Sequence, residues 1–221
     1  MLIKTISVGQ LETNCYVVIN ELSNVEESER TKCEVRKAVF HECVVIDPGD
    51  ESNTILDYLE DNGLLCKAVF LTHGHFDHVG ACDALAEETG AKVFMNASDD
   101  RDNMHSPHFP YSLPDNGRYY DDGDVINIAG MTFEIIGTPG HTPGGVTIKT
   151  ENALFTGDTL FRGSCGRTDL DGGNIDELMS SLKKICSVDG DFEVYPGHMD
   201  TTTLIKEKTF NYYCRKAMQK S

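Results

Sequence analysis

From Thr72 to His78 the chain reads Thr-His-Gly-His-Phe-Asp-His, which sets His73, His75 and His78 with Asp77 directly after the apolar run Ala68-Val-Phe-Leu71. Imidazole nitrogen and carboxylate oxygen together are the donors that suit divalent zinc, iron and manganese. On an extended loop His73 and His75 point the same way, and Asp77 and His78 turn toward an adjacent point. One histidine at a strand end is ordinarily a hydrogen-bonded core residue. Packing does not explain three with an aspartate at this spacing.

Three other segments follow the same pattern, a polar donor at the mouth of a strand bracketed by glycine. Thr138-Pro-Gly-His141-Thr-Pro-Gly-Gly145 presents His141, Phe155-Thr-Gly-Asp158 presents Asp158, and Val194-Tyr-Pro-Gly-His198 presents His198. Seven donors exceed what one tetrahedral ion can use, and a shared carboxylate resolves the count. The expected assignment is His73, His75 and His141 on one ion, Asp77, His78 and His198 on the other, and Asp158 bridging. The chemistry of such a pair is activation of water: a bridging hydroxide attacks a carbonyl that one ion polarises, and metal charge holds the oxyanion. Asp77 and Asp158 are thus the carboxylates expected to take part in catalysis, Asp77 also orienting the nucleophile.

The elements that must position these donors alternate along the chain. Cys15 to Ile19, Cys43 to Ile46, Ala68 to Leu71 and Lys92 to Met95 read as strands, and residues 51 to 62 and 81 to 88 as helices ending at Gly63 and Gly90. Gly123 to Ile128 with Met131 to Ile136, and Val146 to Lys149 with Ala153 to Thr156, read as hairpins. Residues 174 to 186 and 201 to 218 read as amphipathic helices flanking a strand at Phe192 to Tyr195. The polar stretch from Asn20 to Lys37 is expected to be an exposed hairpin or meander. The stretch from Asn96 to Tyr120, with His105, His108, Phe109 and Tyr111, has no sustained period and is expected to be a substrate wall or lid.

A chain of 221 residues supports one substantial core, so a single domain over 1–221 is expected. With 36 Asp and Glu against 19 Lys and Arg, a net charge of -17 argues against nucleic acid and anionic membrane surfaces as partners. No signal-peptide pattern opens the chain and no run approaches the roughly 20 apolar residues of a membrane span, so a cytoplasmic setting is expected. The eight cysteines are irregularly spaced, without a CxxC pair, and several lie in apolar runs. They read as reduced structural thiols.

The His-x-His-x-Asp-His run at 73–78, with His141, Asp158 and His198 in that order, resembles the metallo-beta-lactamase superfamily. Thr138–Gly145, Gly157-Asp-Thr-Leu-Phe161, Gly166-Arg-Thr-Asp169 and Tyr195-Pro-Gly-His198 are similar to its glyoxalase II-like branch of small bacterial hydrolases. The resemblance covers nearly the whole chain. It implies an α/β fold, a four-layer alpha-beta/beta-alpha sandwich with two divalent metal ions at one edge, zinc first and iron or manganese as alternatives. It also implies a small-molecule thioester substrate of the S-lactoylglutathione type, a 2-hydroxyacyl thioester. A thiolate leaves without a proton donor, its thiol pKa being about 8.5, and no further acid is evident beside the ligands. Full-length members of that branch carry an additional C-terminal helical region that helps bind glutathione, and with 23 residues after His198 no counterpart is expected here. Phe161, Arg162 and Arg167 are expected substrate contacts, with an ion pair to Asp169 the plainer reading of Arg167. The rivals are a mononuclear iron dioxygenase acting on a thiol persulfide and a non-catalytic metal-binding module.

Overall fold

The apolar runs build two sheets, each turning one face toward the other and its opposite face toward helices. The computed structural model describes residues 1–23 and 40–219. The first half runs β1 (Leu2–Val8), β2 (Thr13–Ile19), β3 (His41–Ile46), α1 (Ser52–Asn62), β4 (Leu64–Phe70), α2 (Phe76–Val79), α3 (Cys82–Thr89), β5 (Lys92–Met95), α4 (Arg101–Met104) and β6 (Arg118–Tyr119). The second half runs β7 (Val125–Ile128), β8 (Met131–Gly137), β9 (Val146–Thr150), β10 (Ala153–Gly157), β11 (Leu160–Phe161), β12 (Ser164–Cys165), α5 (Ile175–Cys186), β13 (Glu193–Pro196), β14 (Thr202–Thr203), α6 (Leu204–Phe210) and α7 (Tyr212–Gln219).

One sheet has the order β1-β2-β3-β4-β5-β6 and the other β14-β13-β10-β9-β8-β7, with β11 and β12 forming a small ribbon. Because successive strand residues point to opposite faces, β2 to β5 divide their apolar residues between two cores. Val18, Val44, Phe70 and Phe94 face the second sheet, where Phe133, Ile148 and Phe155 meet them. The ring pairs Phe70–Phe133 at 5.0 Å and Tyr16–Phe155 at 5.2 Å cross that interface. Val17, Val45, Val69 and Val93 face the other way, onto Ile55 and Leu59 of α1 and Leu85 of α3. Behind the second sheet, Leu154 and Val194 pack on Leu182 and Ile185 of α5, Leu204 of α6 and Ala217 of α7. The layers are therefore helix, sheet, sheet, helix, the sandwich that the sequence resemblance implies.

Strand direction places the donors. β10 and β13 are parallel, and β9 lies antiparallel between β8 and β10, so β8, β10 and β13 all finish at the same end of their sheet. The loops after them carry His141, Asp158 and His198. The end of β4 reaches this edge from the other sheet, where Val146 N donates to Thr72 O (2.9 Å).

Two expectations are revised, and two regions hold elements without a strong sequence signal. Asp77 and His78 lie on a short helical turn, α2, and not on extended chain; His75 precedes it in extended conformation. The helix expected over 201–218 is a two-residue strand and two helices, broken at Asn211. There the buried Asn211 side chain accepts from Tyr213 N (2.9 Å) and donates to Ser164 O (2.9 Å), Phe161 O (3.3 Å) and Glu207 Oε2 (2.9 Å), demands a continuous helix would leave unmet. β1 carries no strong sequence signal, because as an edge strand it is largely exposed and lacks an apolar run. The 96–120 stretch holds a 3-10 turn at Ala97–Asp99, α4 and β6, which pairs with β5. Of the expected Asn20–Lys37 hairpin, residues 24–37 lie outside the described residues. Among the described residues no helix is long and apolar enough to cross a membrane, and the seven described cysteines are unpaired, all buried except the half-buried Cys165.

Candidate metal centre

All seven expected donors converge. His73, His75 and His141 form one cluster and Asp77, His78 and His198 another, the donor atoms of each lying within 4.8 Å of one another. Asp158 reaches both: its Oδ2 is 3.4 Å from His141 Nε2 and 3.6 Å from His198 Nε2, and its Oδ1 is 3.5 Å from His78 Nε2. Asp77 Oδ2 lies 3.2 Å from His198 Nε2 and 3.6 Å from His78 Nε2. Asp158 thus lies between the two triads, and a third group of donors, Asp47, His73 and His78, joins them at the back.

The rings are aimed from behind. A ring nitrogen facing an oxygen acceptor carries its proton, which leaves the lone pair on the other nitrogen. His141 Nδ1 donates to Arg167 O (2.7 Å), His198 Nδ1 to Leu11 O (3.1 Å) and His78 Nδ1 to Asp47 Oδ2 (3.0 Å). Thr72 Oγ1 donates to Asp47 Oδ2 (2.6 Å), so its oxygen is free to accept from His73 Nδ1 (3.2 Å). In all four Nε2 faces the interior of the centre. Nε2 of His73, His75 and His78 and Oδ1 of Asp158 are buried without a hydrogen-bond partner. His75 Nδ1 lies 3.0 Å from His141 Nε2, and either tautomer of His75 leaves a buried nitrogen unsatisfied. Orphaned buried acceptors are costly, and converging lone pairs are what a cation satisfies. The residues fit divalent metal ions.

Protonation separates the two clusters. Burial and the neighbouring imidazoles lower the pKa of His73 and bring His75 down to about 3, and burial also lowers His141, so this triad is neutral. Burial would lower His78 as well, but Asp47, Asp158 and Asp77 hold it at about 9. His198 is raised against its burial by Asp77 and Asp158. Burial works against the Asp77 carboxylate, yet His198 and His78 keep its pKa below the ordinary range. The second triad therefore has an acidic surround that favours positive charge.

The centre opens on one side, where Asp77, Asp158 and His198 keep 15%, 11% and 22% of their side chains exposed while His78 keeps none. Two clefts flank the opening. One of 420 Å³ is bounded by Leu11, Glu12, Asn14, His198 and Met199, and one of 400 Å³ by Leu11, Thr13, Asp50, Phe76 and Asp77. Phe161 stands beside the opening, its ring 6.2 Å from that of His198. Arg162 pairs with Asp200 (2.7 Å) at the surface. The Arg167 guanidinium makes a two-pronged pair with Asp169 (2.7 and 2.6 Å), while its carbonyl serves His141. His105 is not part of the centre, and His108 pairs with Asp171 (3.2 Å).

Sequence reading missed several supports. Asp47, in the turn that follows β3, holds Thr72 and His78; a carboxylate at a strand mouth beside glycine is the pattern used for the ligands, and it could have been found that way. Thr13 Oγ1 donates to Asp77 Oδ2 (3.1 Å), and Asn14 Nδ2 donates to Pro196 O (3.0 Å) and Met199 O (2.8 Å), tying β2 to the His198 loop. Neither carries a local signal.

A four-layer sandwich with a histidine and aspartate centre at the strand ends defines a metal-binding α/β protein. Residues 41–198 match the model of the metallo-beta-lactamase superfamily, and the chain belongs to that family. It is 35% identical over 181 residues to the hydroxyacylglutathione hydrolase GloC of Haemophilus influenzae, covering 76% of this chain and 84% of that one. Among solved structures, TTHA1623 in a di-iron-bound form is 31% identical with a TM-score of 0.73 (95% of this chain, 99% of that chain). ETHE1 from Myxococcus xanthus is 26% identical with a TM-score of 0.77 (96% and 84%).

Proposed function

We propose that this protein is a metal-dependent hydrolase of 2-hydroxyacyl thioesters. The observation that carries the reading is Asp158 lying between the two triads, where Nε2 of His73, His75 and His78 is buried without a hydrogen-bond partner. Bound there, two divalent ions would lower the pKa of a water to near neutrality and polarise the scissile carbonyl. Zinc is the first choice; the similarity to a structure holding two irons supports iron as the alternative.

The chain's own residues supply the rest. Asp77, ionised and held by Thr13 Oγ1 and His198, offers a fixed acceptor at the open side that orients the proton of an attacking water. Phe161 gives the acyl group an apolar wall. Arg162 and Arg167 are ion-paired with Asp200 and Asp169, and a guanidinium is too weak an acid to protonate a leaving group, which suits a thiolate. The similarity to a hydroxyacylglutathione hydrolase supports the same substrate class. A reducing, cytoplasmic setting completes the proposal and is supported by the free buried thiols.

The test is purification without added metal, elemental analysis, and side-by-side assay of lactoyl, acetyl and persulfide derivatives of one thiol. The expected result is two ions per chain, fastest release of thiol from the lactoyl ester, and loss of turnover on chelation. One iron per chain with oxygen consumed on the persulfide would replace this reading with a dioxygenase. Full thioester turnover by His75→Ala would show that the centre is not catalytic.

A further inference from the structure

We propose that Asp99 is a positioning residue for one metal site only, pinning together the two loops that carry His73, His75 and His141. Asp99 follows β5, is fully buried, and lies outside the ligand motifs. Its Oδ2 accepts from Gly74 N (3.0 Å) and Thr142 Oγ1 (2.7 Å), and its Oδ1 accepts from Gly144 N (2.6 Å). Gly74 sits between His73 and His75, while Thr142 and Gly144 follow His141. One carboxylate thus spans both stretches that supply the three-histidine cluster.

Close approach explains the two glycines. A side chain at Gly74 would run into the Asp99 carbonyl oxygen, and one at Gly144 would come within 2.7 Å of the Asp99 carboxyl carbon. Three donors, and no cation among the described ion pairs, satisfy a carboxyl whose pKa burial pushes up to about 6. A buried carboxylate without a counter-charge is expensive, and its retention here has a geometric return: the loops cannot separate without stranding it.

The action is selective. Asp99 makes no hydrogen bond to Asp77, His78 or His198; the carboxylate that holds His78 is Asp47. Loosening the Asp99 contacts is therefore expected to act on His75 and His141 first, the second triad being held by Asp47 and Leu11 O and joined to His75 through His78 N, which donates to His75 O (2.9 Å). Supports that orient metal ligands are worth about 10- to 100-fold in affinity when removed.

The inference rests on the three-histidine cluster holding an ion, not on which thioester is cleaved. The probe is cobalt(II) alone, titrated into chelator-treated protein and followed by visible absorption, with His141→Ala marking the spectrum of the three-histidine site. Asp99→Asn turns an amide N–H toward a backbone N–H. It is expected to bind one cobalt as the wild type does and the other 10- to 100-fold more weakly, losing the band that His141→Ala loses. Both ions held at wild-type affinity, or both weakened equally in a cooperatively folded variant, would overturn the proposal. Should Asp99→Asn fail to fold, Thr142→Val removes one of the three bonds and must weaken the same cobalt in smaller measure; an unchanged or unselective titration counts against it. A wild-type chain that takes up no cobalt removes the two-cluster reading, and this proposal with it.

Discussion

Replacing Asp47 with asparagine keeps the shape of a buried side chain and deletes the charge facing His78. In the wild type this carboxylate accepts from Thr72 N (2.7 Å), Thr72 Oγ1 (2.6 Å) and His78 Nδ1 (3.0 Å). In chelator-treated protein His78 is a buried imidazolium with its pKa held at about 9, chiefly by Asp47 against the effect of burial. The sign follows from linkage. A raised folded-state pKa gives stability that is fully present below the unfolded value of about 6.5 and is lost as pH rises through 9. Across that window the difference corresponds to about 3 kcal/mol at most. His198, also raised, contributes in the same direction, whereas the lowered His73, His75 and His141 contribute slightly in the opposite one just above pH 7, where part of each unfolded imidazole is still protonated. Urea unfolding of metal-free protein at pH 7 and pH 9 reads this directly. Between the two, Asp47→Asn is expected to lose about 1–2 kcal/mol less than the wild type, the buried thiols raised in both proteins adding a common loss as the unfolded cysteines ionise, and to start about 1.5–3 kcal/mol lower at pH 7 for the lost charged hydrogen bond. An identical drop in both proteins would refute the assignment of His78 as an imidazolium held by Asp47.

Phe155→Ala empties the space between the sheets where the ring meets Tyr16 (5.2 Å) and Tyr195 (5.1 Å); denaturant unfolding should show a loss of about 3–5 kcal/mol with metal stoichiometry unchanged. Asn211→Ala strands the carbonyls of Phe161 and Ser164 and uncaps α7, so a loss of about 2–4 kcal/mol is expected, together with a raised KM if the displaced Phe161 lines the substrate. Arg167→Ala removes only an exposed ion pair, worth about 0–1 kcal/mol, and leaves the carbonyl that holds His141. Elemental analysis should still give the full metal content, and a KM rise at constant kcat would assign the guanidinium to substrate.

The residues that converge were legible in the chain, because His73, His75, Asp77, His78, His141, Asp158 and His198 each sit in a short motif after a strand, with glycine in the turn. The sequence by itself also determined the alternation of strands and helices wherever an apolar run or a helical period was strong, as in β4, β5, α1 and α5. Tertiary structure decided the rest. The orientation of the rings depends on Leu11 O, Arg167 O and Asp47, which lie 187, 26 and 31 residues from the histidines they hold. Two of those partners are backbone carbonyls, which every residue has, so no residue type announces them. The break at Asn211 and the clamp at Asp99 have the same origin. A buried amide or carboxylate is settled by whichever donors and acceptors packing brings to it, and periodicity along the chain carries no record of them.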